Sequence, residues 1–86
     1  MNYTYLLRCA DDTLYCGWTS DLGRRVQSHQ AGTGGKYTRS RRPVQLIYAE
    51  QWPTRKEAMS REWQIKHLTR EEKWALIDRA ADPSGE

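Results

Sequence analysis

The sequence predicts an α+β fold, a three-stranded, largely antiparallel sheet with three helices in the order ββαβαα. Three observations carry this expectation. Two short segments rich in Tyr, Thr and Leu flank a tight turn, as in a hairpin. A third strand-like segment stands alone between helical ones. Each helical segment opens on residues that cap helix N-termini.

In chain order, residues 3–9 read as the first strand. Ala10-Asp11-Asp12-Thr13 follows as a turn, with an Asp able to visit the left-handed region. Residues 14–19 form the return strand. Ser20 or Asp21 caps a first helix running to about Gln30, and Ala31-Gly32-Thr33-Gly34-Gly35 breaks it. Residues 36–43 read as a basic loop and 44–51 as the third strand. Thr54 and Glu57 have the spacing of a capping box, and Thr69 and Glu72 repeat it. The last helix ends near Ala81, with Trp74, Ile77 and Ala81 on one face. No repeat or long linker divides the chain. Residues 1–81 are expected to form one domain and residues 82–86 a frayed tail.

A chain of 86 residues has room for one modest core. Its 37% hydrophobic content separates it from disordered chains. Phe is absent, so the four Trp and five Tyr must supply the bulky side chains. Trp52, Trp63 and Trp74 are expected in the core rather than as platforms for bases. Two cysteines, Cys9 and Cys16, build neither a disulfide framework nor a four-ligand zinc site, so buried thiols are expected. No leader and no apolar run of membrane-spanning length is visible, which predicts a cytoplasmic protein. Residues 1–48 hold seven Lys/Arg against three Asp, while residues 49–86 hold seven against eight acids. The basic half suits a polyanion.

Several polar residues fall where apolar ones belong. At about 100° per residue, Leu22 and Val26 must face the sheet, His29 falls within their stripe and Arg25 at its edge. Either the helix is rotated toward solvent or the two groups line a polar cleft. In the second helix Glu62 falls within an arc of Ala58, Met59, Trp63 and Ile65. A carboxylate there is paired, with Arg25 a natural partner, or binds a metal. Gly17 inside a strand marks a bulge or a close approach by a ligand or another backbone. Tyr3, Tyr5, Tyr15 and Thr19 cluster hydroxyls in the hairpin. Lys36-Tyr37-Thr38-Arg39-Ser40-Arg41-Arg42 carries four cations in seven residues, as a solvated loop or as phosphate contacts with Tyr37 stacking.

These residues together resemble the GIY-YIG nuclease superfamily, in particular its small bacterial proteins consisting of this domain alone. Tyr3-Thr4-Tyr5 stands at the first motif, with Tyr3 where a glycine is usual. Tyr15-Cys16-Gly17 matches the second, with Cys16 in place of a branched aliphatic. The run from Thr19 to His29 resembles the family's first helix, and Arg61-Glu62-Trp63-Gln64-Ile65-Lys66 resembles the segment with its metal-binding glutamate.

The resemblance implies a metal-dependent endonuclease acting on nucleic acid, DNA favoured over RNA, with one Mg²⁺ or Mn²⁺ on Glu62. It implies Tyr5 as general base or positioner of water, and Tyr15 as hydrogen-bond partner of the water or phosphate. Arg25 would stabilise the transition state, and His29 would orient Tyr5 or relay a proton. Gly17 would be structural in the site. Arg24, Lys36, Tyr37, Arg39, Arg41 and Arg42 would contact the nucleic acid. A binding module without turnover, or a partner-binding domain, are the alternatives. The site also makes a demand on register. A two-residue turn at Asp11-Asp12 puts Tyr5 and Tyr15 on opposite faces; a three-residue loop, Ala10-Asp11-Asp12, pairs Leu7 with Tyr15 and puts both on one face.

Overall fold

The computed structural model describes residues 1–81, so the expected tail at 82–86 lies outside the described residues. Strands β1 (Asn2–Arg8) and β2 (Leu14–Thr19) form the hairpin. Cys9 N–H donates to Thr13 C=O at 2.9 Å, which leaves a three-residue loop. Asp12 takes its left-handed position, φ 68°. Leu7 consequently pairs with Tyr15 and Tyr5 with Gly17, the register that the odd loop requires.

The third strand, β3 (Gln45–Trp52), pairs antiparallel on the other side of β1, giving the order β2-β1-β3. A shift between Leu6 and Leu7 leaves Ile47 as the extra residue of a bulge. Because strand side chains alternate, Tyr5 and Leu7 enter one core and Leu6 and Cys16 the other.

Helix α1 (Leu22–Ala31) covers the tyrosine face. Asp21 accepts from Arg24 N–H as its N-cap, and Gly32 (φ 85°) closes it. Leu22 and Val26 pack on Tyr5, Leu7, Cys9 and Val44. The side chain of Gln30 brackets the Val44 backbone, its amide N–H donating to Val44 C=O and its oxygen accepting from Val44 N–H. That ties the end of α1 to the entry of β3.

Helices α3 (Arg55–Lys66) and α4 (Arg70–Ala81) cover the opposite face. Ile65 and Ile77 are buried there, and Trp74 packs on the same core. The Ala81 side chain, expected on that face, lies outside the described residues. Thr69 accepts from Glu72 N–H while Glu72 accepts from Thr69 N–H, a complete capping box. At α3 only half of the box forms. Thr54 Oγ1 accepts from Glu57 N–H but donates to the Glu57 carboxylate.

Three expectations change. A fourth, short helix, α2 (Lys36–Arg39), occupies part of the predicted loop. Trp63 is not core: it is 64% exposed and stacks on the His67 ring at 4.0 Å, and Met59 is exposed beside it. The apolar arc of α3 is therefore narrower than its composition suggests, and Glu62 sits at its edge, half-buried. Cys9 and Cys16 are buried free thiols. No helix among the described residues is long and apolar enough to cross a membrane.

Candidate active site

The cluster is built upward from Gly17. A β-carbon there would sit 2.5 Å from Tyr5 Oη and 3.2 Å from the Tyr15 ring, so the glycine is needed for Tyr5 to lie across its strand partner. Tyr5, fully buried, reaches His29 Nε2 with its hydroxyl at 2.9 Å. The Tyr15 ring packs edge-on against His29, centroids 5.1 Å apart, and against Tyr37 at 5.8 Å.

Helix α1 delivers the other two groups. His29 is fully buried within the apolar stripe, as its position predicts, and its Nδ1 lies 2.8 Å from Thr38 Oγ1. Arg25, one turn earlier, donates from Nη2 to the Gly34 carbonyl at 2.9 Å. Its charge also acts on the Tyr5 and Tyr15 hydroxyls. The structure thus brings Tyr5, Tyr15, Arg25 and His29 together on one face of the sheet.

The local electrostatics follow from burial. Desolvation pushes the Tyr5 phenol up to about 12, opposed by the neighbouring Arg25 guanidinium. Desolvation also lowers the His29 pKa, and the Arg25 charge adds to the effect, so the imidazole rests neutral. The Arg25 guanidinium is held charged chiefly by Tyr5.

Glu62 stands apart from this cluster. Its carbonyl lies 3.9 Å from Cys16 Sγ, so this turn of α3 packs against Tyr15-Cys16-Gly17 from the opposite face of the sheet. Thr4 Oγ1 donates to the Ala58 carbonyl at 2.7 Å and fixes the preceding turn. The carboxylate partner is Lys66 Nζ at 3.5 Å and not Arg25. The tightly paired carboxylate of the domain is Glu50, which takes both Arg61 Nε and Nη2, at 2.8 and 3.0 Å, and the Tyr48 hydroxyl. Among the described residues no three His, Cys, Asp or Glu side chains gather as a metal cage. A lone, loosely paired, half-buried carboxylate fits only an ion that keeps most of its waters or takes substrate oxygens, as Mg²⁺ does.

The expected nucleic-acid contacts divide in two. Among the described residues no side-chain hydrogen bond or ion pair holds the exposed Arg24, Lys36 or Arg39. Arg24 and Arg25 line a cleft with Thr19, Ser20, Asp21 and Ser28. Arg41 is engaged within the protein: Nε pairs with Asp11 at 3.0 Å, and the guanidinium covers the Tyr37 ring at 3.9 Å. Arg42 donates to the Arg39 and Gln30 carbonyls. Two site residues escaped the sequence reading, Thr38 and Gly34. A β-carbon on Gly34 would meet His29 Nδ1 at 2.5 Å. The Gly34-Gly35 pair and the Thr beyond it were the available signal.

Comparison with known proteins shows the family. The family profile described as the GIY-YIG catalytic domain matches residues 1–75. A UPF0213 protein of Clostridium perfringens is 52% identical over 90% of this chain and 83% of its own length. A UPF0213 protein of Haloquadratum walsbyi is 49% identical over 94% of this chain and 91% of its own. The solution NMR structure of a UPF0213 protein from Bacillus halodurans superposes with a TM-score of 0.62 at 41% identity, covering 99% of this chain and 92% of that one. With motif tyrosines, arginine and histidine gathered over a strand glycine, and with these relatives, the chain belongs to the GIY-YIG family, a nuclease-type family, beside its small UPF0213 members.

Proposed function

We propose that this protein is a metal-dependent nuclease that hydrolyses phosphodiester bonds, with DNA as the favoured substrate. The observation that carries the reading is the convergence of the Tyr5 hydroxyl, the Arg25 guanidinium and the buried His29 imidazole above Gly17. Tyr5, as its phenolate, holds the attacking water and takes its proton. Tyr15 donates to the water or to a phosphate oxygen. Arg25 donates to the oxygens on which charge accumulates, where a planar fork of donors is most effective. His29 keeps the Tyr5 hydroxyl in place.

Glu62 would hold a single Mg²⁺ or Mn²⁺, which when bound supplies charge stabilisation at the scissile phosphate and the leaving oxygen. Arg24, Lys36 and Arg39 offer exposed charge to the backbone.

One observation favours a second reading, a nucleic-acid-binding module without turnover: Glu62 packs against the other face of the sheet from the tyrosines. The test is a panel of labelled single-stranded, duplex and branched DNA and RNA, each with Mg²⁺, Mn²⁺ or EDTA. Metal-dependent cleavage lost in Glu62→Ala supports the nuclease. Salt-sensitive binding without cleavage of any substrate supports the module.

A further inference from the structure

Trp63 on α3 plays no part in the cluster of Tyr5, Tyr15, Arg25 and His29. At 64% it is the most exposed aromatic side chain among the described residues. An indole left in water forgoes the stabilisation that burial would bring. It is nonetheless held in place. The His67 ring stacks on it, with centroids 4.0 Å apart and planes 28° apart. His67 Nδ1 donates to the Trp63 carbonyl at 2.7 Å, since a carbonyl oxygen can only accept. One face of the indole is thus covered by a ring anchored to its own backbone, which leaves the exposure to the other face and the edges.

The surroundings of this indole are cationic. At about 100° per residue, Arg55, Lys56, Met59, Lys66 and His67 fall within about 80° of Trp63 around the helix axis. All five are exposed. Of the two carboxylates of α3, Glu57 falls on the far side, hydrogen-bonded to Thr54, and Glu62 falls at the margin, paired with Lys66. Among the described residues no acid pairs with Arg55 or Lys56. Arg55 lies over a second aromatic ring, that of the half-buried Trp18, at 5.6 Å.

The charges choose the occupant of this face. A second copy meeting it about a twofold axis would set Arg55 and Lys56 against like charges, and one Trp with one Met falls far short of the area that a stable dimer buries. A polyanion instead gains from each cation. The free face of an indole matches the face of a nucleic-acid base, and a base bares that face only where it is unpaired.

We propose that Trp63 is a stacking platform for an unpaired base of single-stranded DNA, with Arg55 and Lys56 meeting the neighbouring phosphates. The proposal rests on the nucleic-acid reading above and narrows it to substrates with a single-stranded segment. Trp63 directly follows Glu62 in the chain, so the platform stands beside the carboxylate assigned to the metal.

The test is binding in EDTA, where metal-dependent cleavage cannot compete, read by fluorescence anisotropy of a labelled oligothymidylate, of the same strand made abasic throughout, and of a duplex of equal length. Wild type should bind the base-bearing strand about tenfold more tightly than the abasic one. Trp63→Ala should lose about tenfold on the base-bearing strand and little on the abasic strand or the duplex, with the salt dependence unchanged because no charge is removed. Trp63→Phe should keep most of the affinity. Lys56→Gln should instead lower the log–log salt slope by about 0.7. Trp63 lies outside both cores, so Trp63→Ala should keep the wild-type urea midpoint. Equal wild-type affinity for the two strands overturns the proposal without any variant. So does a Trp63→Ala protein that binds the base-bearing strand like wild type, or one that loses equally on both strands; in each case salt-sensitive binding by wild type leaves the nucleic-acid reading standing. Trp63-dependent binding of an oligoglutamate peptide but not of the strand, or Trp63-dependent self-association in sedimentation with DNA binding unchanged, gives the face to another occupant and overturns the proposal. Wild type that binds none of the DNA probes overturns the nucleic-acid reading and the platform with it.

Discussion

A methyl group on Gly17 would stand 2.5 Å from the Tyr5 hydroxyl, closer than unbonded atoms approach, so one of them must move. Gly17→Ala should therefore lose about 1–3 kcal/mol in urea denaturation and lose activity beyond that share. An unchanged denaturation midpoint would show that Tyr5 has room to move. A glycine inside a strand made this position legible as one of close approach, but the neighbour is the Tyr5 side chain rather than the ligand or backbone expected. Thr38 was not. A threonine among four cations reads as solvated, and its burial depends on the path of a loop that local pattern does not encode. The ionisation of Tyr5 gives a second prediction at this scale. Its reactive form as a base is the phenolate, and its pKa near 12 lies far above neutrality. The phenolate fraction then grows tenfold per pH unit below that value, so log kcat/KM should rise with unit slope from neutral into mildly alkaline pH. A flat profile with chemistry shown to be rate-limiting would contradict a tyrosine base.

Helix α1 was read correctly from its phase alone: with so few apolar residues, Leu22 and Val26 had to face the sheet, and His29 had to go with them. Helix α3 was read less well. Its composition offered Met59 and Trp63 to the core, but only Ala58 and Ile65 enter it, so Trp63 rides outside on His67. The tightly paired carboxylate was missed for a related reason: Glu62 was expected to pair with Arg25, and it meets Lys66 instead. Glu50 on β3 meets Arg61 on α3, a pairing set by how the helix crosses the sheet. This pair ties α3 to the edge of the sheet. Burial opposes ionisation of Glu50, but hydrogen bonds from Arg61 and Tyr48 outweigh it and hold its pKa below 4.5. A group whose folded pKa is depressed contributes above its unfolded pKa and loses that contribution as pH falls through the folded value. Glu50→Gln should thus cost about 1.5–3 kcal/mol near neutral pH. In acid its denaturation midpoint should converge with that of the wild type. A difference independent of pH would assign the loss to packing rather than charge.

For the molecule as a whole, the hairpin register does most to assemble the cluster. It follows from one extra residue in the loop, and it turns Tyr5, Gly17 and Tyr15 to the face that α1 covers. The strand order and the two helical layers were legible from pattern. The position of Glu62 on the opposite face was not, because helix phase says nothing about which face of the sheet a helix covers. Charge acts at the same scale. Arg24, Lys36 and Arg39 are exposed and unengaged among the described residues, whereas Arg41 braces Asp11 and Tyr37. Neutralising any of the first three should reduce the salt dependence of nucleic-acid binding by about 1 in the log–log slope. Arg41→Ala should change that slope less and loosen the hairpin loop instead. Equal effects from all four would contradict this division. The central claim is that the Tyr5 hydroxyl performs phosphodiester chemistry, and the most direct measurement compares single-turnover cleavage by wild type and Tyr5→Phe at saturating protein with Mg²⁺ or Mn²⁺. Tyr5→Phe is expected to lose about 100-fold or more in rate, with the fold and nucleic-acid affinity retained. Cleavage by Tyr5→Phe at the wild-type rate would contradict it.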